Sequence, residues 1–232
     1  MLMPPMLKAD RVSFSYGGKG AREALSGLSL EVGPGECLAV VGRNGSGKST
    51  LLSLLAGSLK PQGGSVEKKG RVGYVPQGNA LLEDLSAGEN IAFFAALGGV
   101  STKRLPSPLP LGIGSFLKKK IHSLSGGMQK RVSIACAMVS RPDILLLDEP
   151  CAALDIFWKQ KALELFLDAK RSGAALLYVG HDFSEILRLC DRMLLLEGGR
   201  ALFQKPLSEL PASPLELEEL VRSLLPEETS RA

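Results

Sequence analysis

A glycine-rich loop that joins an apolar strand to a helix constrains this chain more than any other feature. Residues 37–41 read CLAVV, a continuous apolar run that predicts a strand buried on both faces of a sheet. Residues 48–55 read KSTLLSLL and predict a helix. The loop between them completes the pattern G-x-x-x-x-G-K-[ST], and its position between a strand and a helix makes the match specific. The motif comprises Gly42, Arg43, Asn44, Gly45, Ser46, Gly47, Lys48, Ser49 and Thr50.

This motif, called the phosphate loop below, predicts a nucleotide site. Its glycines allow successive backbone N–H groups to point inward at phosphate oxygens. The start of the following helix adds partial positive charge. Lys48 brings a full charge to the outer phosphates, and Ser49 offers a hydroxyl to Mg²⁺. We therefore expect a nucleotide to bind here together with Mg²⁺.

Strands and helices alternate along most of the chain. Short apolar runs predict strands at residues 72–75, 144–147, 174–179 and 193–196, and the segments 125–140, 155–171 and 182–190 are expected to be helical. Two segments of alternating polarity, 12–16 and 28–32, predict further strands. This order indicates an α/β fold built on a layered sheet.

Residues 78–123 differ from the flanking sequence and predict an inserted, partly helical subdomain. Residues 83–97 suit a helix, but residues 101–114 contain Pro106, Pro108 and Pro110 at alternate positions. Proline lacks an N–H and disfavours helix in the residue before it, so we expect extended or polyproline conformation there.

Composition excludes several classes of protein. No apolar run approaches the ~20 residues of a membrane span, and the first residues turn polar too soon for a signal peptide, so we expect a soluble chain without its own anchor. The four cysteines, Cys37, Cys136, Cys151 and Cys190, are widely spaced. Buried, reduced thiols are therefore expected, rather than a zinc site or a disulfide framework.

The formal net charge of +4 is concentrated in one segment. Residues 101–131 contain seven basic residues and no acidic one: Lys103, Arg104, Lys118, Lys119, Lys120, Lys130 and Arg131. Two interpretations of the three consecutive lysines are open. They could form a solvated surface, or they could pair with acidic loops of a partner or with anionic lipid headgroups. Nucleic-acid binding is disfavoured because no aromatic residues interleave with the lysines.

An acidic pair follows the apolar run at residues 144–147. Side chains at the carboxyl end of a parallel strand face the same crevice as the phosphate loop. Asp148 could hold Mg²⁺ through water, and Glu149 could act as a general base on an attacking water. His181 follows another predicted strand and is expected at the same sheet edge, whereas His122 lies among lysines and is expected to be solvated.

A second glycine turn, LSGGM at residues 124–128, opens the helix expected at 125–140. The start of a helix is an anion site in principle, so this turn, called the signature turn below, could bind a second phosphate group. The alternative is a plain helix cap, with Ser125 as the capping residue.

The order of these motifs resembles the ATP-binding subunit of an ABC transporter. The resemblance runs from about residue 16 to residue 204 and rests on the phosphate loop, YVPQ at 74–77, LSGGM at 124–128, ILLLDEP at 144–150, ALD at 153–155 and GHD at 180–182. It implies a P-loop NTPase of ABC type, with a RecA-like parallel-sheet core, an antiparallel β subdomain and a short helical insert. The implied division is an N-terminal part of the ATP-binding core at 1–77, the insert at 78–123, the rest of the core at 124–204 and an acidic tail at 205–232.

The resemblance also implies roles for individual residues. Tyr16 would stack on adenine, Gln77 would contact Mg²⁺ and His181 would contact the γ-phosphate of ATP. Asp155 would lie at a dimer interface. The signature residues, which would bind ATP held by the partner chain, are Ser125, Gly126 and Gly127.

The function implied is ATP binding and hydrolysis that closes and opens a head-to-tail homodimer or heterodimer. A separate multi-span permease would contact residues 78–123, placing the chain in the cytoplasm on the inner face of the plasma membrane, without a nucleic-acid partner. Met128 at the fifth signature position favours export. The alternatives are a soluble ABC-type ATPase acting as a clamp or in cofactor assembly, and a P-loop GTPase or kinase, which would leave LSGGM unexplained.

Overall fold

The computed structural model describes residues 4–17, 23–101 and 109–225, which alternate strands with helices as the sequence predicts. The strands are β1 Leu7–Ser15, β2 Glu23–Val32, β3 Cys37–Val41, β4 Gly63–Lys68, β5 Val72–Val75, β6 Ile144–Asp148, β7 Ala175–Val179, β8 Arg192–Glu197 and β9 Arg200–Pro206. The α-helices are α1 Lys48–Ala56, α2 Ala87–Leu97, α3 Gly126–Met138, α4 Ile156–Arg171, α5 Phe183–Leu189 and α6 Pro214–Leu224.

A six-stranded sheet with the order β5-β6-β7-β3-β8-β9 forms the centre of the fold. Its first five strands are parallel and only β9 runs antiparallel. Every residue of β3, β6 and β7 is buried, as expected for strands covered on both faces. Parallel strands end at one edge of a sheet. The phosphate loop follows β3, Asp148 ends β6 and His181 follows β7, so all three lie at that edge.

A second sheet, antiparallel with the order β2-β1-β4, covers one side of this core and confirms the expected antiparallel subdomain. The leucines of α1 lie in one buried cluster with residues of both sheets. Burial of each such side chain stabilises the fold by about 1.5–3 kcal/mol. The helix that carries Lys48 is therefore fixed between the two sheets.

The insert begins differently from the sequence prediction. Its helix starts at Ala87 rather than at residue 83, because Ser86 caps it: the Ser86 hydroxyl accepts from Glu89 N–H, and the Glu89 carboxylate accepts from Ser86 N–H. The expected extended conformation is wrong from Pro110 onward, where a 3₁₀-helical segment covers Pro110–Phe116 with a kink at Leu111 and Gly112, whose φ values are 58° and 62°. Proline suits the first position of a helix. The alternating prolines before Pro110 had suggested an extended conformation instead. The rest of that prediction, at 102–108 with Pro106 and Pro108, lies outside the described residues.

The basic segment is also less exposed than its sequence suggests. Lys118, Lys119 and Lys120 are exposed, whereas Lys130 and Arg131 of α3 are buried. The Arg131 guanidinium lies between the Phe116 and Trp158 rings, 4.8 and 4.2 Å from their centroids, and donates to the Leu111 carbonyl. Lys103 and Arg104 lie outside the described residues. The seven basic residues therefore do not form one surface patch.

Beyond residue 204 the structure contains a helix where the sequence predicted only an acidic tail. Helix α6 packs against α5 and buries Leu217 and Val221. All four cysteines are buried and none of them forms a disulfide. Within 4–17, 23–101 and 109–225, no group of three or more His, Cys, Asp or Glu residues could hold a metal ion, and no helix has the length and apolar character that crossing a membrane requires.

Candidate nucleotide site

The phosphate loop curls between β3 and α1, and close packing requires two of its three glycines, Gly42 and Gly47. Gly47 precedes the helix with a φ of 109°, a conformation that other residues rarely adopt. A Cβ atom there would lie 2.5 Å from the Ala24 carbonyl oxygen, and one on Gly42 would lie 2.1 Å from that of Leu196. A side chain at either position would therefore displace neighbouring backbone.

The Lys48 side chain folds back onto the phosphate loop and bonds to its backbone. Its Nζ donates to the carbonyl oxygens of Gly42 and Arg43 at 2.6 and 2.8 Å. Burial lowers the pKa of the Lys48 ammonium, while the Glu149, Asp148 and Glu197 carboxylates act in the opposite direction. The ammonium is thus held at the loop among carboxylates that favour its charge.

A cavity of about 340 Å³ adjoins the loop and brings most of the predicted residues together. Tyr16 is 61% exposed; its ring packs edge-on against Phe14 with the centroids 5.0 Å apart, and its hydroxyl accepts from the Thr50 hydroxyl at 3.3 Å. The packing expected of a strand-end aromatic is therefore present, and much of the tyrosine remains accessible to a ligand. The cavity is lined by Tyr16, Ala24, Asn44, Gly45, Gly47, Lys48, Ser49, Thr50, Gln77, Asp148 and Glu149.

Asp148 is the buried carboxylate at the end of β6. Burial and the neighbouring Glu149 raise the pKa of Asp148, whereas Lys130, Lys48 and a backbone hydrogen bond from Gln77 counteract that rise. Burial and the Asp148 carboxylate raise the pKa of the Tyr74 phenol to about 12. Asp148, the Ser49 hydroxyl and the Gln77 amide oxygen form a set of hard oxygen donors. Such a set fits Mg²⁺, which takes few protein ligands and keeps its remaining positions for water and phosphate.

Glu149 occupies a strained position between two predicted partners. Its φ is 44°, which costs about 1 kcal/mol for a residue with a side chain, and its N–H donates to the Val179 carbonyl. One carboxylate oxygen accepts from the Gln77 amide at 3.3 Å, and the other lies 3.3 Å from His181 Nδ1. Strain of this kind concentrates at functional sites. The turn holds Glu149 where the cavity meets the exposed His181.

The signature turn lies outside this cavity. Ser125 caps α3 by accepting from the Met128 N–H at 3.4 Å, so the plain capping interaction is present. A Cβ on Gly126 would meet no atom within 4 Å, whereas one on Gly127 would lie 2.9 Å from the Ala153 carbonyl oxygen. Asp155 caps α4 by accepting from the Trp158 N–H at 3.0 Å. One chain therefore does not bring these residues to its own phosphate loop.

Two sets of side chains around the site were missed from the sequence. Lys130, which the sequence groups with the basic residues of 101–131, lies buried with its charge close to Asp148. A second set surrounds the helix after His181: Lys159 bonds Asp182 and Glu185, each at 2.7 Å, and Tyr178 donates to Glu185. The only sequence signal for this set was the presence of its charged residues, Asp182, Glu185 and Lys159. Their pairing depends on tertiary structure and could not be read from the sequence.

The architecture and the site define a nucleotide-binding ATPase, and the chain belongs to the ABC transporter family, whose sequence pattern matches residues 25–152. A taurine import ATP-binding protein of Pseudomonas aeruginosa is 36% identical over 233 residues, covering 94% of this chain and 89% of that protein. An O-antigen export system ATP-binding protein of Klebsiella pneumoniae is 35% identical over 183 residues, covering 76% and 74%.

A solved structure extends the comparison to the dimer. It is the dimeric post-hydrolysis state of an ATP-binding cassette bound to ADP and Pi, with a TM-score of 0.74, 26% identity, and coverage of 87% of this chain and 99% of that one. The predicted fold class is confirmed, and the chain is an ABC-type ATPase. ATPase domains of this family dimerise and pair with membrane subunits in transporters.

Proposed function

We propose that this chain hydrolyses ATP as one half of a head-to-tail dimer and thereby drives a separate membrane subunit. The observation that carries the proposal is the division of the site. Lys48, Asp148 and Glu149 gather at one cavity, while Ser125 and Gly126 of the signature turn are exposed elsewhere on the same chain. A second chain would supply the missing turn, so two chains would enclose two ATP molecules.

The chain's own residues bind and orient the nucleotide. Tyr16 stacks on the base, a contact worth about 1–3 kcal/mol. The amides of residues 42–47 and Lys48 hold the phosphates. Ser49, Asp148 and Gln77 would hold Mg²⁺, which neutralises charge on the β- and γ-phosphates when bound.

Glu149 is the general base and His181 contacts the γ-phosphate in this proposal. The Glu149 carboxylate accepts a proton from the attacking water as the water oxygen bonds to the γ-phosphorus and the bond to the β–γ bridging oxygen breaks, leaving ADP and phosphate. Positioned general bases contribute about 10²–10⁴-fold to a rate. Gln77 and His181 hold the carboxylate from opposite sides, which fixes its direction.

The signature turn would act on the partner's nucleotide. Ser125, Gly126 and Gly127 approach the γ-phosphate held by the second chain, and Asp155 lies at the interface beside them. Gly127 lies close to the Ala153 carbonyl, so the signature turn is adjacent to the turn that carries Asp155. ATP would close this interface and hydrolysis would reopen it.

Residues 78–123 are the proposed contact with the permease. This segment presents the half-exposed Phe93 and the exposed Leu97 of α2, and also Lys118, Lys119 and Lys120. Attachment through this segment would place the chain at the cytoplasmic face of the membrane. Export stays a prediction from Met128, since relatives named for import and for export match this chain with similar identity. The four-part division of the chain also stays a prediction.

Co-purification from membranes tests the transport role. The full chain carrying Glu149→Gln, with ATP and Mg²⁺, should retain a multi-span membrane protein, and charge reversal of Lys118, Lys119 and Lys120 should weaken that retention. Measurable ATPase activity without any membrane partner, together with capture of a soluble assembly factor, would instead support the clamp or cofactor-assembly role.

A further inference from the structure

A buried lysine connects the signature helix to the segment that carries Gln77. Lys130 is 2% exposed, and its ammonium donates to the carbonyl oxygens of Pro76 and Gln77, both at 2.8 Å. Those carbonyls directly follow β5, whereas Lys130 belongs to α3. The contact therefore joins two elements that are separated by the whole insert.

The setting of this ammonium contains acidic groups that favour its charged form against the effect of burial. Burial lowers the pKa of Lys130, and the neighbouring Asp148, Cys151 and Glu149 act to raise it. Burying a charged group costs several kcal/mol unless it is bonded and balanced by opposite charge. The carbonyls provide the bonds, and the acidic pair of the nucleotide site provides the charge. Lys130 is thus part of the electrostatics around Asp148.

A neighbouring pair of amides strengthens the same connection. Asn79 Nδ2 donates to Gln129 Oε1 at 2.9 Å. The Gln129 Nε2 in turn donates to the carbonyls of Ile121 and Leu124 at 3.0 and 3.1 Å. Leu124 is the first residue of the signature turn. Two adjacent side chains of α3 therefore bind the Gln77 segment on one side and the signature turn on the other.

The distances along the helix are short. Lys130 lies four residues after Gly126, which is about 6 Å along the axis. On the other side of the contact, the Gln77 side chain reaches Glu149. If Gln77 shifts toward a bound nucleotide, the Lys130 contact would move with it. The N-terminus of α3 would then be displaced as well, because only one helical turn separates it from Lys130.

We propose that Lys130 is a positioning residue that couples the chain's own nucleotide site to its signature turn. Nucleotide bound at the phosphate loop would reorient the turn that meets the second chain. This inference rests on the proposed function, because it requires that ATP drive formation of the dimer. It adds the side chain that transmits the presence of ATP at the phosphate loop to the signature turn of the same chain.

The test uses the full chain with Glu149→Gln, in which the ATP-bound dimer should accumulate. Analytical ultracentrifugation over a series of ATP concentrations gives the concentration for half-maximal dimer. We expect Lys130→Met to raise it about tenfold, within the usual range of allosteric coupling. The dissociation constant for ATP, measured on dilute monomer of the same variant, is the reference, and the concentration for half-maximal dimer should rise at least about fivefold more than that constant, because coupling and affinity are separate quantities. Equal rises in the two would assign Lys130 to ATP binding alone and overturn the coupling role. Lys60→Met, at an exposed lysine, is the matched control.

Two milder variants keep the test decisive where Lys130→Met fails to fold. Lys130→Gln keeps a donor but removes the charge, and Asn79→Ala removes the second connection at an exposed residue. Each should raise the ATP concentration for half-maximal dimer about threefold, because each removes only part of the connection and therefore part of the coupling free energy. An unchanged ATP requirement in every folded variant, with dimer formed by the Glu149→Gln chain, would overturn the role of Lys130 alone. Failure of the Glu149→Gln chain itself to form dimers would overturn the proposed function and this inference together.

Discussion

The phosphate loop and the signature turn are both glycine turns that open a helix, but the chain treats them differently. The phosphate loop is enclosed by its own chain at Gly42, Gly47 and Lys48: Lys48 bonds back to the loop carbonyls, and neighbouring backbone leaves no room for side chains at the two glycines. Its residues Asn44, Gly45 and Ser49 are exposed. The signature turn is exposed at Ser125 and Gly126, and a Cβ on Gly126 would meet nothing within 4 Å.

This difference separates glycines that the fold requires from a glycine that it does not. Packing within the chain explains Gly42 and Gly47, because a side chain there would collide with backbone. It gives no reason for Gly126. A surface turn with room for a side chain, followed by the N-terminus of a helix, suits the close approach of a phosphate from outside. One half of the site is therefore complete in a single chain and the other half requires a second.

The largest expected effect comes from the base in the enclosed half. Glu149→Gln should reduce kcat about 10²–10⁴-fold, because the amide cannot accept the proton of the attacking water. ATP binding should persist and the dimer should accumulate, as seen by size-exclusion chromatography with ATP. Turnover at the level of the unmodified chain would exclude Glu149 as the base.

Lys48→Ala should weaken ATP binding about 100-fold, since hydrogen bonds from a charged group contribute about 1.5–3 kcal/mol each. Calorimetric titration with ATP and Mg²⁺ measures the loss, and Lys60→Ala is the control for removing a lysine at the surface. Retention of the original affinity would contradict the assignment of the phosphate loop.

Matched alanine substitutions in the two turns test the comparison itself. Gly47→Ala should lower the free energy of unfolding by about 2–4 kcal/mol, because it combines a positive φ with a backbone clash. Gly126→Ala should leave that free energy within about 0.5 kcal/mol and still reduce ATPase turnover about tenfold, equivalent to about 1.4 kcal/mol of transition-state stabilisation. Urea unfolding and steady-state kinetics measure both. Equal destabilisation by the two substitutions would remove the distinction.

The positions of the residues in the enclosed half could be predicted because their sequence signals are local. The apolar runs of β3, β6 and β7 and the spacing of the loop glycines place Asp148 and His181 at one sheet edge without further information. The polar β4 and the amphipathic α6 were missed because their stability depends on β1 and α5. The 3₁₀-helix after Pro110 and the burial of Lys130 likewise depend on tertiary contacts with α3, α4 and the Gln77 segment.

Mixing two inactive chains tests the central claim, that each nucleotide site is completed by the signature turn of a second chain. Ser125→Arg leaves the phosphate loop intact and Lys48→Ala leaves the signature turn intact, so their heterodimer contains one complete site. If half of the dimers are mixed and the sites act independently, about a quarter of all sites are complete, so we expect about a quarter of the turnover of the unmodified protein. Either variant alone should retain less than about a tenth of the unmodified turnover. Heterodimers demonstrated by differential tagging but without recovered ATPase activity would contradict the account.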